Sequence, residues 1–210
     1  MRQLKGRPQL AQILLGRSRF CNLFVMIASY LVAIVKCLQV CLMTSPRNVL
    51  FPRSVLFLCT GNSARSILAE AILRHYGAGR YDAFSAGSMP AGVPNPAAIA
   101  TLESRGLDHG FARSKSWDEF AGDEATAMDL VITVCANAAS ETCPVWPGHP
   151  HTAHWGVEDP AAVTGSREDI MAAFAVTYDQ MKARIDALLA LEDAPIADLM
   201  PQIRTIGDLP

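Results

Sequence analysis

One segment constrains the fold more than any other: an apolar run, a polar loop and a helical pattern follow one another between residues 54 and 76. Residues 54–58 (SVLFL) are β-branched and aromatic, as in a buried parallel strand. Residues 66–76 (SILAEAILRHY) carry apolar side chains at helical spacing without Gly or Pro. The residues that join them read CTGNSARS, so the sequence predicts a strand, a tight loop and a helix in direct succession.

The predicted loop has the features of an oxyanion site. Backbone N–H groups and the N-terminus of the following helix point into such a loop. Gly61 permits a sharp backbone path, Asn62 tolerates the left-handed conformation, and Arg65 offers a planar fork that binds a tetrahedral oxyanion with two N–H groups. The residues predicted to bind the anion are Thr60, Gly61, Asn62, Ser63, Ala64, Arg65 and Ser66.

Cys59, the first residue of the loop, is the predicted nucleophile. The field that binds an anion also favours a thiolate, and Ser66 at the start of the helix is expected to donate a hydrogen bond to Cys59 and keep its pKa low. A Cys followed by an Arg six residues later is a weak pattern by itself. The strand before it and the helix after it make the pattern specific here.

Charge and cysteine content exclude several classes of protein. The net charge is −2 and no basic face stands out, so the sequence gives no electrostatic reason to expect a nucleic acid partner. Six cysteines, unevenly spread, do not fit the disulfide framework of a small secreted domain. No set of Cys and His residues has zinc-finger spacing, and neither a metal nor a bound cofactor is predicted.

Residues 1–50 form a predicted N-terminal extension with an apolar helix. Five cations precede a run without charge at residues 20–35, which is shorter than the roughly 20 residues of a membrane-spanning helix. The sequence leaves three readings open: an over-long start assignment with Met43 as the initiator, membrane association through residues 20–43, and an ordinary packing helix. A cytoplasmic location is expected, because a thiol enzyme depends on cytosolic reductant.

Five segments carry a resemblance to a known family: the loop CTGNSARS, the following SILAEAILR, and the stretches FSAGSMPAGVPNPAAIATLESRGLD, RSKSWDEF and HWGVEDPAA. Together they resemble the low-molecular-weight tyrosine phosphatases and the arsenate reductases built on the same fold. The resemblance covers about residues 54–191 and implies a three-layer α/β sandwich with a four-stranded parallel sheet and helices on both faces. Residues 192–210 are assigned to a C-terminal tail.

Periodicity supports the same architecture independently. Strands are predicted near residues 54–58, 81–85, 129–134 and 150–155, alternating with helical segments. The last helix of the domain should begin at Ser166, because Ser166 and Asp169 have capping-box spacing. Its predicted apolar stripe consists of Ile170, Phe174, Tyr178, Met181, Ile185 and Leu188.

Asp159 is the predicted general acid. It precedes Pro160, and proline holds the preceding residue in an extended conformation. An Asp-Pro loop carboxylate is usually just solvated, so the residues alone do not assign a role. The resemblance implies that Asp159 lies over the Cys loop and protonates the leaving oxygen, with Glu158 as the alternative.

Cys135 and Cys143 decide between the two activities of the family. They lie in VCANAASETCP, directly after a predicted strand, and resemble the relay cysteines of thioredoxin-coupled arsenate reductases. Ala64 stands where the phosphatases often have a second loop cysteine, and the acid loop reads DPAAV without the tyrosine of the phosphatases. Both departures favour the reductase.

The sequence therefore predicts an arsenate reductase of arsenic detoxification, with Cys59 as nucleophile and Cys135 and Cys143 as a disulfide relay. Its electron donor is expected to be an external thiol reductant, either thioredoxin or glutathione with glutaredoxin. The main alternative is a low-molecular-weight phosphatase that hydrolyses phosphate monoesters, for which both relay cysteines would be dispensable. A hypothesis from another class is a catalytically idle oxyanion-binding or membrane-tethered regulatory protein, which would need an unreactive Cys59.

Overall fold

The computed structural model describes residues 53–122, 124–135 and 146–210. The N-terminal extension, with its apolar run, lies outside these residues, and so does Cys143. Within the described ranges, no helix is both long and apolar enough to cross a membrane.

Four parallel strands form the centre of the domain. They are β1 (Arg53–Cys59), β2 (Tyr81–Gly87), β3 (Leu130–Thr133) and β4 (His151–His154). The strand order is β2-β1-β3-β4, and every neighbouring pair is parallel. The predicted four-stranded parallel sheet is confirmed, and each strand overlaps the segment predicted for it. Because β1 has a neighbour on either side, its apolar run is buried as a central strand requires.

Helices connect and follow these strands. In the described residues, the α-helices are α1 (Arg65–Tyr76), α2 (Pro96–Ser104), α3 (Arg167–Leu189) and α4 (Ile196–Ile206). Two 3₁₀ turns lie at Trp117–Phe120 and Pro160–Ala162. Asn95 caps α2, accepting a hydrogen bond from the backbone N–H of Ala97.

Alternate residues of β1 point to opposite faces of the sheet. Val55 and Phe57 belong to a large cluster that also contains buried side chains from all four α-helices. Leu56 and Leu58 belong to a smaller cluster on the other face. In the described part of the chain, this second cluster is completed by the first 3₁₀ turn and by Met128 and Trp146.

The start of α3 matches its prediction. Ser166 accepts a hydrogen bond from the backbone N–H of Asp169, whose carboxylate accepts from the backbone N–H of Ser166 in return. Of the predicted apolar stripe, Phe174, Tyr178, Met181, Ile185 and Leu188 are buried, and Ile170 is partly buried against them.

Residues 196–206, which were assigned to a tail, form α4 and contribute five buried side chains to the large cluster: Ile196, Leu199, Met200, Ile203 and Ile206. Trp155 at the end of β4 is fully buried and donates its indole N–H to the carbonyl of Ile203 at 2.9 Å. Gly207 packs so closely that a Cβ there would lie 2.2 Å from the carbonyl oxygen of His154. This helix is therefore part of the core that supports the end of the sheet.

Candidate active site

Cys59 is the last residue of β1, and α1 begins six residues later at Arg65. Its sulfur is buried, lies 2.9 Å from the hydroxyl of Ser66 and accepts the backbone N–H of Asn62 at 3.1 Å. The predicted contact between Ser66 and Cys59 is therefore present. The strand, loop and helix place one thiol at the base of the loop.

Burial raises the pKa of the Cys59 thiol. The Ser66 hydroxyl and the backbone N–H groups of Asn62 and Ser66 lower it in turn, and the neighbouring Cys135 raises it further. In this geometry the desolvation of the thiolate outweighs the donors, so the expectation of a low pKa was wrong. Because the Ser66 hydroxyl lowers the pKa of Cys59, removing this hydroxyl would raise the pKa further.

Asn62 fixes the shape of the loop. It is fully buried and has a φ of 41°, which confirms its predicted left-handed conformation. Its side-chain NH₂ donates to Ser66 at 3.0 Å and to Ser85 at 2.9 Å, while its carbonyl oxygen accepts the backbone N–H of Lys115 at 2.8 Å. Because all three partners are held by other elements, Asn62 ties the loop to the rest of the domain.

The carbonyl groups of the loop are bound from outside. Backbone N–H groups of the segment after β2 donate to them: Ser88 to Cys59 at 3.4 Å, Met89 to Thr60 at 2.9 Å, Ala91 to Gly61 at 2.8 Å, and Asn95 to Ser63 at 2.8 Å. The N–H of a trans peptide group points away from its C=O, so carbonyls bound from outside the loop leave the N–H groups pointing into the loop. Residues 88–95, which belong to a stretch that carries the family resemblance, thus hold the oxyanion loop in shape.

The glycine that lies closest to the loop backbone is Gly87 and not Gly61, for which a sharp backbone path is predicted. A Cβ on Gly61 would meet nothing nearer than the Ser63 hydroxyl at 3.6 Å, and its φ is not positive. A Cβ on Gly87, at the end of β2, would lie 2.4 Å from the carbonyl oxygen of Thr60 and 2.9 Å from the nitrogen of Asn62. The sharp path predicted for Gly61 is taken by Asn62, and Gly87 supplies the room.

Arg65 links the loop to the predicted acid. Its Nη2 lies 3.0 Å from Asp159 Oδ2, and its Nη1 donates to the carbonyl of Val157 at 3.2 Å. The Arg65 side chain is 15% exposed and that of Asp159 is 42% exposed. Asp159 also caps the second 3₁₀ turn by accepting the backbone N–H of Ala161 at 3.1 Å. The exposed Glu158 lies two residues before the first residue of this turn.

Cys135 lies next to the loop. Leu58 pairs with Thr133 in the parallel β1–β3 register, so both chains leave the sheet at the same edge, where Cys59 and Cys135 follow. The Cys135 sulfur is buried and 3.7 Å from the hydroxyl of Thr60. The structure therefore brings four of the five predicted catalytic residues together: Cys59, Arg65, Cys135 and Asp159.

Sequence reasoning missed the polar cluster beneath the loop. Glu70 on α1, Ser85 on β2 and Lys115 are all buried, and the Ser85 hydroxyl donates to the Glu70 carboxylate at 2.5 Å. The Lys115 ammonium lies 3.4 Å from both Glu70 and Ser85. Burial raises the pKa of Glu70 and lowers that of Lys115. A glutamate inside the apolar run SILAEAIL was the signal that could have found it.

Residues 54–198 match the family model of low molecular weight phosphotyrosine protein phosphatases. The chain belongs to this family. As a low molecular weight phosphatase family member, it aligns with an arsenate reductase of Shouchella clausii at 36% identity over 131 residues, covering 62% of this chain and 91% of that protein. An arsenate reductase of Bacillus subtilis aligns at 35% identity over the same shares.

Solved structures agree with this family assignment. An arsenate reductase in the phosphate binding state superimposes with a TM-score of 0.54 at 29% identity, covering 66% of this chain and 97% of that one. A low molecular weight protein tyrosine phosphatase from T. tengcongensis superimposes with a TM-score of 0.51 at 24% identity, over 65% and 97% of the two chains. The second likeness concerns the fold alone.

Proposed function

We propose that this protein reduces arsenate to arsenite with Cys59 as nucleophile. The observation that carries the proposal is the second buried thiol, Cys135, packed against Thr60 of the oxyanion loop at 3.7 Å. Hydrolysis of a phosphate ester needs one thiol, whereas reduction of arsenate consumes two electrons, which two thiols supply together when they form a disulfide. The chain is also similar to arsenate reductases over 91% of their length, which supports reduction of arsenate over hydrolysis of phosphate esters.

Arsenate binds in the loop through the inward N–H groups between Thr60 and Ser66 and through the guanidinium of Arg65. The Cys59 thiolate attacks arsenic and forms a sulfur–arsenic bond. Asp159 donates a proton to the departing oxygen, which leaves as water. Binding and protonation are coupled, since the same Arg65 contacts the loop that carries Asp159.

Reduction occurs when a second thiolate attacks the adduct. The sulfur of Cys135 attacks the sulfur of Cys59, a disulfide forms, and the sulfur–arsenic bond breaks with its electron pair remaining on arsenic. Arsenic is thereby reduced from the +5 to the +3 state and leaves as arsenite. The two thiols of Cys59 and Cys135 are oxidised.

Cys143 completes the cycle. Its thiolate attacks Cys135, releases the Cys59 thiolate and leaves a Cys135–Cys143 disulfide, which an external dithiol reduces. Thioredoxin and glutaredoxin with glutathione are the two donor classes with suitable chemistry. A cytoplasmic location follows from this need for reductant.

The test compares the wild-type full chain with Cys135→Ser and Cys143→Ser. Arsenite production from arsenate is measured with thioredoxin, thioredoxin reductase and NADPH, and in parallel with glutathione and glutaredoxin. Cleavage of p-nitrophenyl phosphate, which requires Cys59, Arg65 and Asp159 but no relay, serves as the matched control. Cys59→Ser should abolish both activities.

Arsenite production lost in both relay variants, with ester cleavage kept, supports the three-cysteine relay. The donor system that sustains the wild-type enzyme identifies the reductant. Brisk ester cleavage without arsenite production in either system would favour the phosphatase, for which the Cys59, Arg65 and Asp159 geometry is also sufficient.

A further inference from the structure

Arg184 on α3 is a buried cation without a role in the reaction proposed above. It is 4% exposed, and its guanidinium binds two backbone carbonyls from different parts of the chain. Nη1 donates to the carbonyl of Gly156 at 3.0 Å, and Nη2 donates to the carbonyl of Leu209 at 2.6 Å. Burying a cation is costly unless its N–H groups are hydrogen-bonded, and these carbonyls meet that need. One side chain therefore joins the segment that leads to Asp159 with the segment that follows α4.

The peptide group between Gly156 and Val157 is held from both sides. Its C=O accepts the hydrogen bond from Arg184, and its N–H, which belongs to Val157, donates to the carbonyl of Val134 at 3.3 Å. The C=O and the N–H of a trans peptide group point in opposite directions. The two bonds therefore fix the plane of this peptide group between α3 and the residue that follows β3.

The next carbonyl along the chain is held as well. The Val157 carbonyl accepts from Arg65 Nη1 at 3.2 Å, and the Nη2 of the same guanidinium lies 3.0 Å from Asp159. Two arginines thus bind successive carbonyls just before Asp159, Arg184 from α3 and Arg65 from the oxyanion loop. Rotation of the peptide group that Arg184 holds would move the Val157 carbonyl and the Asp159 carboxylate away from Arg65.

The Leu209 carbonyl is a fixed anchor for Arg184. The backbone N–H groups of Asp208 and Leu209 donate to the carbonyls of Thr205 and Ile206 at 3.0 and 3.2 Å, so the segment after α4 continues to be held by the helix. A planar guanidinium that is bound at both Nη atoms has little freedom to turn. The anchor therefore determines which way Nη1 points.

We propose that Arg184 is a positioning residue for the general acid: its guanidinium, anchored by the Leu209 carbonyl, fixes the peptide group between Gly156 and Val157 and thereby holds Asp159 beside Arg65. The inference rests on the proposed roles of Cys59 and Asp159. Arg184 acts on the backbone that carries the proton donor, and it does not take part in binding the anion.

The test compares kcat/KM for two esters that depend differently on an acid. Phenolate is a poorer leaving group than p-nitrophenolate, so cleavage of phenyl phosphate depends more on protonation than cleavage of p-nitrophenyl phosphate. In the full chain, Arg184→Met should lower kcat/KM for phenyl phosphate by roughly 10²-fold, as for a reacting group displaced by about 1 Å, and kcat/KM for p-nitrophenyl phosphate by a smaller factor. Arg184→Lys keeps the cation and can bind one of the two carbonyls, so its loss should be intermediate.

Lys182→Met is the matched control. It removes a cation two residues earlier on α3 that pairs with Asp186 at 2.7 Å, so kcat/KM for both esters should equal that of the wild type. Asp159→Asn is the reference for a missing acid and should show the largest selective loss with phenyl phosphate. The rate at which iodoacetamide alkylates Cys59 should be unchanged in the Arg184 variants, because the hydrogen bonds to the sulfur come from Asn62 and Ser66.

The outcomes separate this inference from the proposed function. If Arg184→Met fails to fold, Arg184→Lys decides the question, because lysine keeps the charge and most of the buried side-chain volume. Equal losses for the two esters in the folded Arg184 variants, beside a selective loss in Asp159→Asn, would overturn this inference alone. Equal losses in Asp159→Asn would overturn the role of Asp159 as the acid, and a wild type that cleaves neither ester would overturn the catalytic roles of Cys59 and Asp159 together with this inference.

Discussion

Arg65 joins the oxyanion loop to the acid loop, since its Nη2 lies 3.0 Å from Asp159 Oδ2 while its Nη1 binds the Val157 carbonyl at 3.2 Å. One guanidinium thus lies between the proposed anion site and the proposed proton donor. In the proposed mechanism, a group that holds both in register makes attack by Cys59 and protonation by Asp159 parts of one step.

Asp159→Asn should lower kcat for p-nitrophenyl phosphate by roughly 10²- to 10⁴-fold, because it removes a general acid and keeps the shape of the loop. Alkylation of Cys59 should stay within about twofold of the wild type, since Asp159 does not contact the sulfur in the structure. Glu158→Gln is the control and should retain full activity. Equal losses in the two variants would contradict the assignment of Asp159.

Ser66→Ala should raise the pKa of the Cys59 thiol above its already raised value, because the hydroxyl is the strongest group that lowers it. A thiolate is the deprotonated form, so a higher pKa means less thiolate at any given pH below the midpoint. The pH profile of Cys59 alkylation should therefore shift to the alkaline side, and alkylation near pH 7 should be slower than in the wild type. A profile shifted to the acid side would contradict the contact.

Gly87→Ala should abolish most activity, because its Cβ would lie 2.4 Å from the Thr60 carbonyl oxygen and force the loop to move. Gly61→Ala should be tolerated, since the nearest atom to its Cβ is 3.6 Å away and its φ is not positive. Both variants add one methyl group near the same loop, so each controls for the other. Measuring kcat and KM for p-nitrophenyl phosphate distinguishes them, and a more damaging change at Gly61 would show that the loop adopts another shape.

Asn62→Gly and Asn62→Ala separate the two tasks of this residue. Both lose three side-chain hydrogen bonds, which should lower the free energy of unfolding by about 3 kcal/mol. Alanine should cost about 1 kcal/mol more than glycine, because only glycine adopts a φ of 41° without steric strain. Urea unfolding followed by fluorescence measures the free energy of unfolding of both variants. An alanine variant as stable as the glycine variant would contradict the left-handed conformation of residue 62.

Ile203→Ala should destabilise the domain by about 2 to 5 kcal/mol, because its fully buried side chain belongs to the large core cluster. Gln202→Ala, an exposed neighbour on the same helix, should change stability by less than about 0.5 kcal/mol. Thermal unfolding of the two variants measures the contribution of α4. Similar melting temperatures would mean that α4 is dispensable for the domain.

Local sequence patterns were sufficient to predict the elements that depend only on neighbouring residues. The run SVLFL, the loop CTGNSARS and the capping box at Ser166 each depend on side chains a few positions apart, so their structures were predictable. The left-handed conformation of Asn62 and the contact between Ser66 and Cys59 belong to the same class, because both lie within one loop.

Other features arise only when distant segments pack together. The need for a glycine at position 87, the pairing of Glu70 with Lys115, and the burial of α4 against Trp155 join residues that are far apart in sequence. The pKa of Cys59 belongs here too, since desolvation by the surrounding core opposes the donors that the loop motif predicts. By itself, the sequence predicted the succession of strand, loop and helix and the candidate nucleophile Cys59, because these depend on local spacing. The packed structure decided which distant residues support the loop and how far burial opposes the hydrogen-bond donors to Cys59, because burial is a property of the whole fold.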